Sequence, residues 1–194
     1  MSIILAAISK NNDIAVCSDG RATDSNGKVV GEYEQKIYKI NKKCIIGGTG
    51  TAAKYLKLKD YVKYNFSSDQ CNVNQIHDSC IKYLEKNKSD ESDVHILITG
   101  YDEECNPHLY VISASSTISS RDYNDIKRTI LGDVFCNYIL NETEDNINKI
   151  LDSMEECIIN RAMFHFLINK NVSKLHLLAK DVRWVFFQEQ KMIQ

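Results

Sequence analysis

Apolar residues form short runs over the first fifty positions. The run Ile3–Ile8 is followed by the polar stretch Lys10–Asp13, and a second apolar run ends at Cys17. Runs bounded by polar turn residues are typical of paired strands, and strands apolar at consecutive positions are covered on both faces. The pattern predicts a buried β-hairpin, and the segments Lys36–Ile40 and Lys43–Gly47 predict a second one.

Three later segments have helical periodicity. Apolar residues recur every three or four positions within 51–65, 73–84 and 147–158. This spacing places the apolar side chains on one stripe of each helix, which must be buried. For the third helix, Asn141 with Glu144 three residues later predicts a capped start.

Strand patterns fill the rest of the chain. Alternation over 93–100, a polar turn and the run 108–112 predict a third hairpin, and 174–179 and 182–187 predict two closing strands. The apolar faces of both sheets and the apolar stripes of the helices must be buried, and a layered arrangement buries them. The sequence therefore predicts an α+β protein, a four-layer αββα sandwich of two mainly antiparallel sheets between helical layers. Its length fits one domain, residues 1–194.

Composition excludes several classes of function. The net charge is -2, with both signs interspersed, so we expect neither nucleic-acid nor membrane binding. No apolar run approaches the roughly 20 residues that span a bilayer, and the first eight residues are too short for a signal peptide. We therefore expect a cytoplasmic protein. Seven cysteines and five histidines lack ligand spacing, so no metal site is predicted.

Several motifs follow one another in an order found in one family. Ser-Asp-Gly-Arg-Ala-Thr at 18–23 is followed by Lys-Ile-Tyr-Lys-Ile at 36–40, and Ile-Gly-Gly-Thr-Gly-Thr-Ala-Ala occupies 46–53. A Gly-Tyr-Asp turn at 100–102 lies between two predicted strands. This series resembles the proteasome β subunits and the bacterial proteasome-like peptidase that works with an unfolding ATPase. Both have the N-terminal-nucleophile (Ntn) hydrolase fold, which is the αββα sandwich.

The resemblance implies a catalytic set. In this family the first residue of the mature chain is the nucleophile, and its α-amine, with an ordinary pKa of about 7.7 to 8.0, is the general base. By the motif match, Lys36 would place a positive charge beside the nucleophile, Asp19 would hold that ammonium, and the Gly47 N–H would bind the oxyanion. The remaining motif positions are candidates for substrate binding: Arg21, Thr23, Gly48 and Thr49.

The nucleophile position itself departs from the family. Counting back from Asp19 without a gap reaches Ile3, which has no hydroxyl, and we expect no propeptide because only Met1 and Ser2 precede it. Ser2 offers an alternative, since a small second residue favours removal of Met1 and leaves a serine with a free α-amine. A shift of one residue turns a strand's side chains to the other face, so Ser2 requires a bulge before Asp13.

Two further alternatives remain open. The family carries serine motifs near the third helix. This sequence has Leu-Gly-Asp at 131–133 and Asn-Arg-Ala-Met at 160–163 in that neighbourhood, and the serines are absent. One alternative is therefore a catalytically silent subunit that serves assembly or ligand binding. In that case Asp19 and Lys36 form a fold-specifying pair. A thiol mechanism through Cys17 is disfavoured, because the neighbouring Asp19 would raise the pKa of that thiol.

The resemblance also implies partners. It implies a homo-oligomer, in the form of a ring, acting on a peptide or small amide substrate. An ATP-dependent unfoldase partner follows from family analogy alone. Neither a cofactor nor a metal is implied.

Overall fold

The computed structural model describes residues 2–24, 26–87, 93–125, 128–131, 146–164, 168 and 170–181. In chain order the elements are β1 (Ile4–Ile8), β2 (Ile14–Asp19), β3 (Ala22–Thr23), β4 (Val29–Gly31), β5 (Ile37–Lys39), β6 (Cys44–Gly50), α1 (Ala52–Phe66), α2 (Val73–Lys86), β7 (Val94–Tyr101), β8 (Pro107–Ala114), β9 (Ile118–Asp122), β10 (Arg128–Leu131), α3 (Ile147–Phe164) and β11 (Val172–Leu177).

The strands form two main antiparallel sheets. One has the order β10-β1-β2-β11, and the other has the order β5-β6-β7-β8-β9. Strands β3 and β4 form a separate small hairpin between β2 and β5 in the chain. Neighbouring strands in the five-stranded sheet are consecutive in sequence, which explains why its hairpins could be recognised from local patterns.

Three apolar clusters arrange these elements in four layers. One cluster joins α1 and α2 to the outer face of the five-stranded sheet, and a second lies between the two sheets. The third joins α3 to the outer face of the four-stranded sheet. The structure is therefore the predicted αββα sandwich. Within the described residues, no helix has the length and apolar character needed to cross a membrane.

The β1–β2 hairpin carries an irregular loop. The Ser9 N–H donates to the Asp13 carbonyl at 2.8 Å, and the Asn12 N–H donates to the Ser9 carbonyl at 3.0 Å. Asn12 has a φ of 66°, the left-handed conformation that asparagine tolerates better than most residues. A three-residue loop that ends on a left-handed residue is a known hairpin form with a bulge. This bulge lies within the loop: the strand pairing runs unbroken from Ile8–Ile14 to Ile4–Ser18, and the Asp19 N–H donates to the Ile3 carbonyl at 3.2 Å, so the pairing shows no register shift of the kind that the Ser2 hypothesis requires.

Most predicted elements are confirmed. The first two hairpins correspond to β1–β2 and β5–β6, the third to β7–β8, and the helix predicted over 51–65 to α1. In α2 the predicted apolar stripe is buried, and Asn72 and Gln75 form a reciprocal capping box. Helix α3 begins at Ile147, and the predicted cap at Asn141 lies outside the described residues, as does the strand predicted over 182–187.

Four strands were not predicted from the sequence. These are β3, β4, β9 and β10, of which β9 has the largely polar sequence Ile-Ser-Ser-Arg-Asp. β9 and β10 are edge strands, each paired on one side only among the described strands. An edge strand buries little of its own surface, so its sequence need not show an apolar alternation.

Candidate active site

Asp19, at the end of β2, is the centre of a buried hydrogen-bond group. Its Oδ1 accepts from the Lys36 Nζ at 2.7 Å and from the Ile3 backbone N–H at 2.8 Å, and its Oδ2 accepts from the Arg21 N–H at 3.1 Å. The Asp19 side chain is fully buried and that of Lys36 nearly so. Burial lowers the pKa of the Lys36 ammonium, and the charge and hydrogen bond of Asp19 oppose that shift.

The side chains of Ser2 and Ile3, which precede β1, have different surroundings. Ile4, Ala6 and Ile8 belong to the cluster between the sheets, whereas Ile3 packs in the cluster against α3 and is fully buried. Ser2 is half-buried and lines the same pocket as Lys36. The first hydroxyl-bearing residue of the chain thus shares a pocket with the lysine.

The pocket has a volume of about 300 Å³ and unites residues from several segments. Five predicted site residues line it: Ser2, Thr23, Lys36, Gly48 and Thr49. Asp19 lies behind Lys36 and is withdrawn from the pocket. Arg21 does not line the pocket, because its guanidinium forms an ion pair with Glu32 at 3.0 Å. This ion pair anchors the β3–β4 hairpin, which forms one wall of the pocket.

The glycines of β6 have different positions. Gly47 lies outside the pocket lining and faces Ile4 and Ile37, whereas Gly50 lines the pocket and has a φ of 92°. The Gly48 N–H donates to the Lys36 carbonyl at 3.1 Å, on the side of β5. Because N–H groups alternate in direction along a strand, the Gly47 N–H points toward β7, away from the side on which the Gly48 N–H bonds.

Tyr55, on α1, forms the floor of the pocket. A Cβ at Gly48 would overlap the Tyr55 ring, so glycine is required for this close approach. The Tyr55 hydroxyl donates to the Lys36 carbonyl at 3.0 Å, which fixes the backbone of the lysine as well as the floor. Burial raises the pKa of the Tyr55 phenol well above its ordinary value, so the group stays a neutral donor.

The family is shown by a match over the segment that carries this geometry. A family model described as proteasome subunit matches residues 4–126, which is more than half of the chain. The chain belongs to the proteasome subunit family. No sequence among the curated proteins matches this proteasome-family chain.

A solved structure supports the same fold. The eukaryotic HslV of Trypanosoma brucei matches this proteasome-family chain with a TM-score of 0.64 and 12% sequence identity. The match covers 91% of this chain and 99% of the HslV chain. At this identity the likeness shows the fold, and the chemistry of the site must be argued from its own residues.

Several pocket residues of this proteasome-family chain were not predicted from the sequence. Among them are Glu34, Gly50, Tyr55 and Asp93. Gly50 had a usable signal, because a glycine between a strand and a helix often marks a close backbone approach. Tyr55 was assigned to the buried helical stripe, which is correct but incomplete. No local sequence pattern marks Glu34 or Asp93 as a pocket residue, because each lies next to a strand whose neighbours are decided by the fold.

Proposed function

We propose that this chain is an Ntn-type amide or peptide hydrolase subunit that uses Ser2 as its nucleophile after removal of Met1. The observation that supports this assignment is that Ser2 and Lys36 line one pocket, whereas the Ile3 side chain packs in the cluster against α3. Serine can replace threonine because both offer a hydroxyl and, at the N-terminus, an α-amine.

In the proposed reaction the Ser2 Oγ attacks the carbonyl carbon of the substrate while the Ser2 α-amine accepts the hydroxyl proton. The carbon–nitrogen bond then breaks, and the same proton passes to the leaving amine. Water hydrolyses the resulting ester with the α-amine again as base, which restores the enzyme. The ammonium of Lys36 stabilises the developing charge on the serine oxygen, and Asp19 holds that ammonium in place.

The oxyanion role fits Gly50 better than Gly47. Gly50 lines the pocket just before α1, whose first N–H groups favour negative charge, whereas Gly47 lies outside the lining. Thr23, Gly48 and Thr49 remain the candidates for holding the substrate backbone, since all three line the pocket. Arg21 acts in this proposal through the β3–β4 hairpin rather than by touching the substrate.

The test begins with the state of the N-terminus. Intact-mass measurement should show a chain without Met1, and a β-lactone or epoxyketone probe should modify Ser2. Ser2→Ala should abolish labelling and hydrolysis, whereas the matched variant Ser2→Thr should retain both. Retention of Met1, or hydrolysis that survives Ser2→Ala, would contradict the proposal.

A catalytically silent subunit is the second candidate. The observation in its favour is that the three hydrogen bonds of Asp19 satisfy the buried carboxylate without any catalytic task. In that case the processed chain would show no labelling, and Lys36→Ala would change stability alone. Labelling of Ser2 that is lost in Lys36→Ala would exclude it.

The proposed subunit assembles as a homo-oligomeric ring in the cytoplasm, with an ATP-dependent unfoldase as a partner by family analogy. The exposed Val30 and Tyr33, at 64% and 84% exposure, are apolar groups available for contacts between copies. Light scattering coupled to size-exclusion chromatography tests the assembly. A monomer at micromolar concentration would contradict it.

A further inference from the structure

The pocket beside Ser2 has carboxylates on opposite sides. Glu34 lies three residues before the start of β5, and Asp93 lies directly before β7. Strand β6 runs between β5 and β7, so the two carboxylates belong to strand ends separated by two strand spacings, about 10 Å. A cation between them would lie within electrostatic reach of both.

Neither carboxylate has an ion-pair partner within the described residues, although the charge of Glu34 acts on Lys36 at longer range. Both carboxylates are exposed to solvent. Lys36 is the one lysine or arginine among the residues that the structure records in the pocket lining, and its charge is matched by Asp19 at 2.7 Å. The pocket therefore has an excess of negative charge available to a ligand.

The floor of the pocket is apolar. Tyr38, Tyr55, Ala52 and Leu56 contribute to its lining, and Leu56 is 42% exposed at the opening. Lysine and arginine side chains combine an aliphatic stem with a charged head, and they pack the stem on apolar surface while the head stays solvated. An apolar floor between solvated carboxylates matches that distribution. A volume of about 300 Å³ is at the small end for ligand pockets and suits one side chain.

We infer that this pocket selects a basic side chain, lysine or arginine, on the substrate residue that it receives, with Glu34 and Asp93 as the specificity-determining residues. The inference rests on the proposed function for the reaction, but the recognition itself requires only the pocket. Exposed charge pairs contribute modestly, so two of them are expected to favour a cation over a neutral isostere by roughly tenfold.

The hydrolytic test uses two fluorogenic peptide amides that differ at the residue before the cleaved bond, arginine in one and citrulline in the other. Citrulline has nearly the shape of arginine without its charge. The ratio of kcat/KM, arginine over citrulline, should be about ten and should fall toward one in the double variant Glu34→Gln/Asp93→Asn. The matched control Glu85→Gln, an exposed carboxylate of α2 outside the pocket, should leave the ratio unchanged. A ratio near one in the native protein, or a ratio that the double variant does not change, would overturn the inference.

A binding measurement separates this inference from the proposed reaction. N-acetyl-arginine amide and N-acetyl-citrulline amide are titrated into Ser2→Ala and followed by NMR. Saturable binding of the arginine compound that exceeds the citrulline compound, and that weakens in the double variant or at high salt, supports the inference even if no substrate is cut. Equal or absent binding of both compounds overturns it even if Ser2 proves to be the nucleophile.

Discussion

The Asp19 carboxylate lies 2.7 Å from the Lys36 ammonium, with both side chains withdrawn from solvent. A buried charge is tolerated when it is paired and when its other lone pairs are satisfied, as they are here by the Ile3 and Arg21 N–H groups. The pair fixes the end of β2, the start of β1 and the segment before β5 in one place. It therefore serves the fold whether or not Lys36 takes part in catalysis.

Removing one partner should be costly. Asp19→Ala leaves the Lys36 ammonium buried without a counter-charge, so the free energy of unfolding should fall by about 3 to 5 kcal/mol. Urea denaturation measures the change. The control is Asp60→Ala, which removes the exposed partner of Lys59 and should have a much smaller effect. Equal losses for the two variants would show that the Asp19 pair is not a structural requirement.

The Gly48–Tyr55 contact should show energetic coupling. Gly48→Ala pushes a methyl group into the Tyr55 ring and should destabilise the fold by about 1 to 3 kcal/mol. In a Tyr55→Leu background the smaller side chain leaves room, so the same substitution should cost less, with a coupling of at least about 0.5 kcal/mol. A double-mutant cycle of urea midpoints gives this number. Additive effects would mean that the ring moves aside without cost.

The left-handed Asn12 should respond to substitution in a residue-specific way. Asn12→Ala places an ordinary side chain at a φ of 66° and should lower stability by about 1 kcal/mol, whereas Asn12→Gly should be neutral or stabilising. The control Lys10→Ala, at an exposed position of the same loop, should change little. Thermal unfolding tests this order. If alanine and glycine behave alike at position 12, the loop does not hold the conformation described here.

Cys17 should be unreactive in the native protein. Burial raises the pKa of its thiol to about 12, so at pH 8 only about one molecule in ten thousand carries the nucleophilic thiolate. Iodoacetamide at pH 8 should therefore modify the half-buried Cys71 well before Cys17, and urea should remove the difference. Peptide mass spectrometry follows both sites. Rapid alkylation of Cys17 with loss of hydrolysis would favour the thiol mechanism instead.

The sequence was sufficient wherever the signal was local. The β1–β2 and β5–β6 hairpins, α1 and α2 follow from apolar periodicity and from turn residues a few positions away. The polar edge strand β9 was missed because its conformation comes from pairing with β8 rather than from its own pattern. The motif at 18–23 and the lysine at 36 identified Asp19 and Lys36, and the structure places them in one buried pair.

By itself, then, the sequence determined the layered fold and the Asp19–Lys36 pair. Only the tertiary structure decided that Ser2 shares a pocket with Lys36 while Ile3 packs against α3, that Gly50 rather than Gly47 lines the pocket, and that Glu34 and Asp93 line the same pocket. The reason is physical. The direction of a side chain depends on strand register, and register is set by pairing between segments, some of them far apart in the chain, as β2 and β11 are.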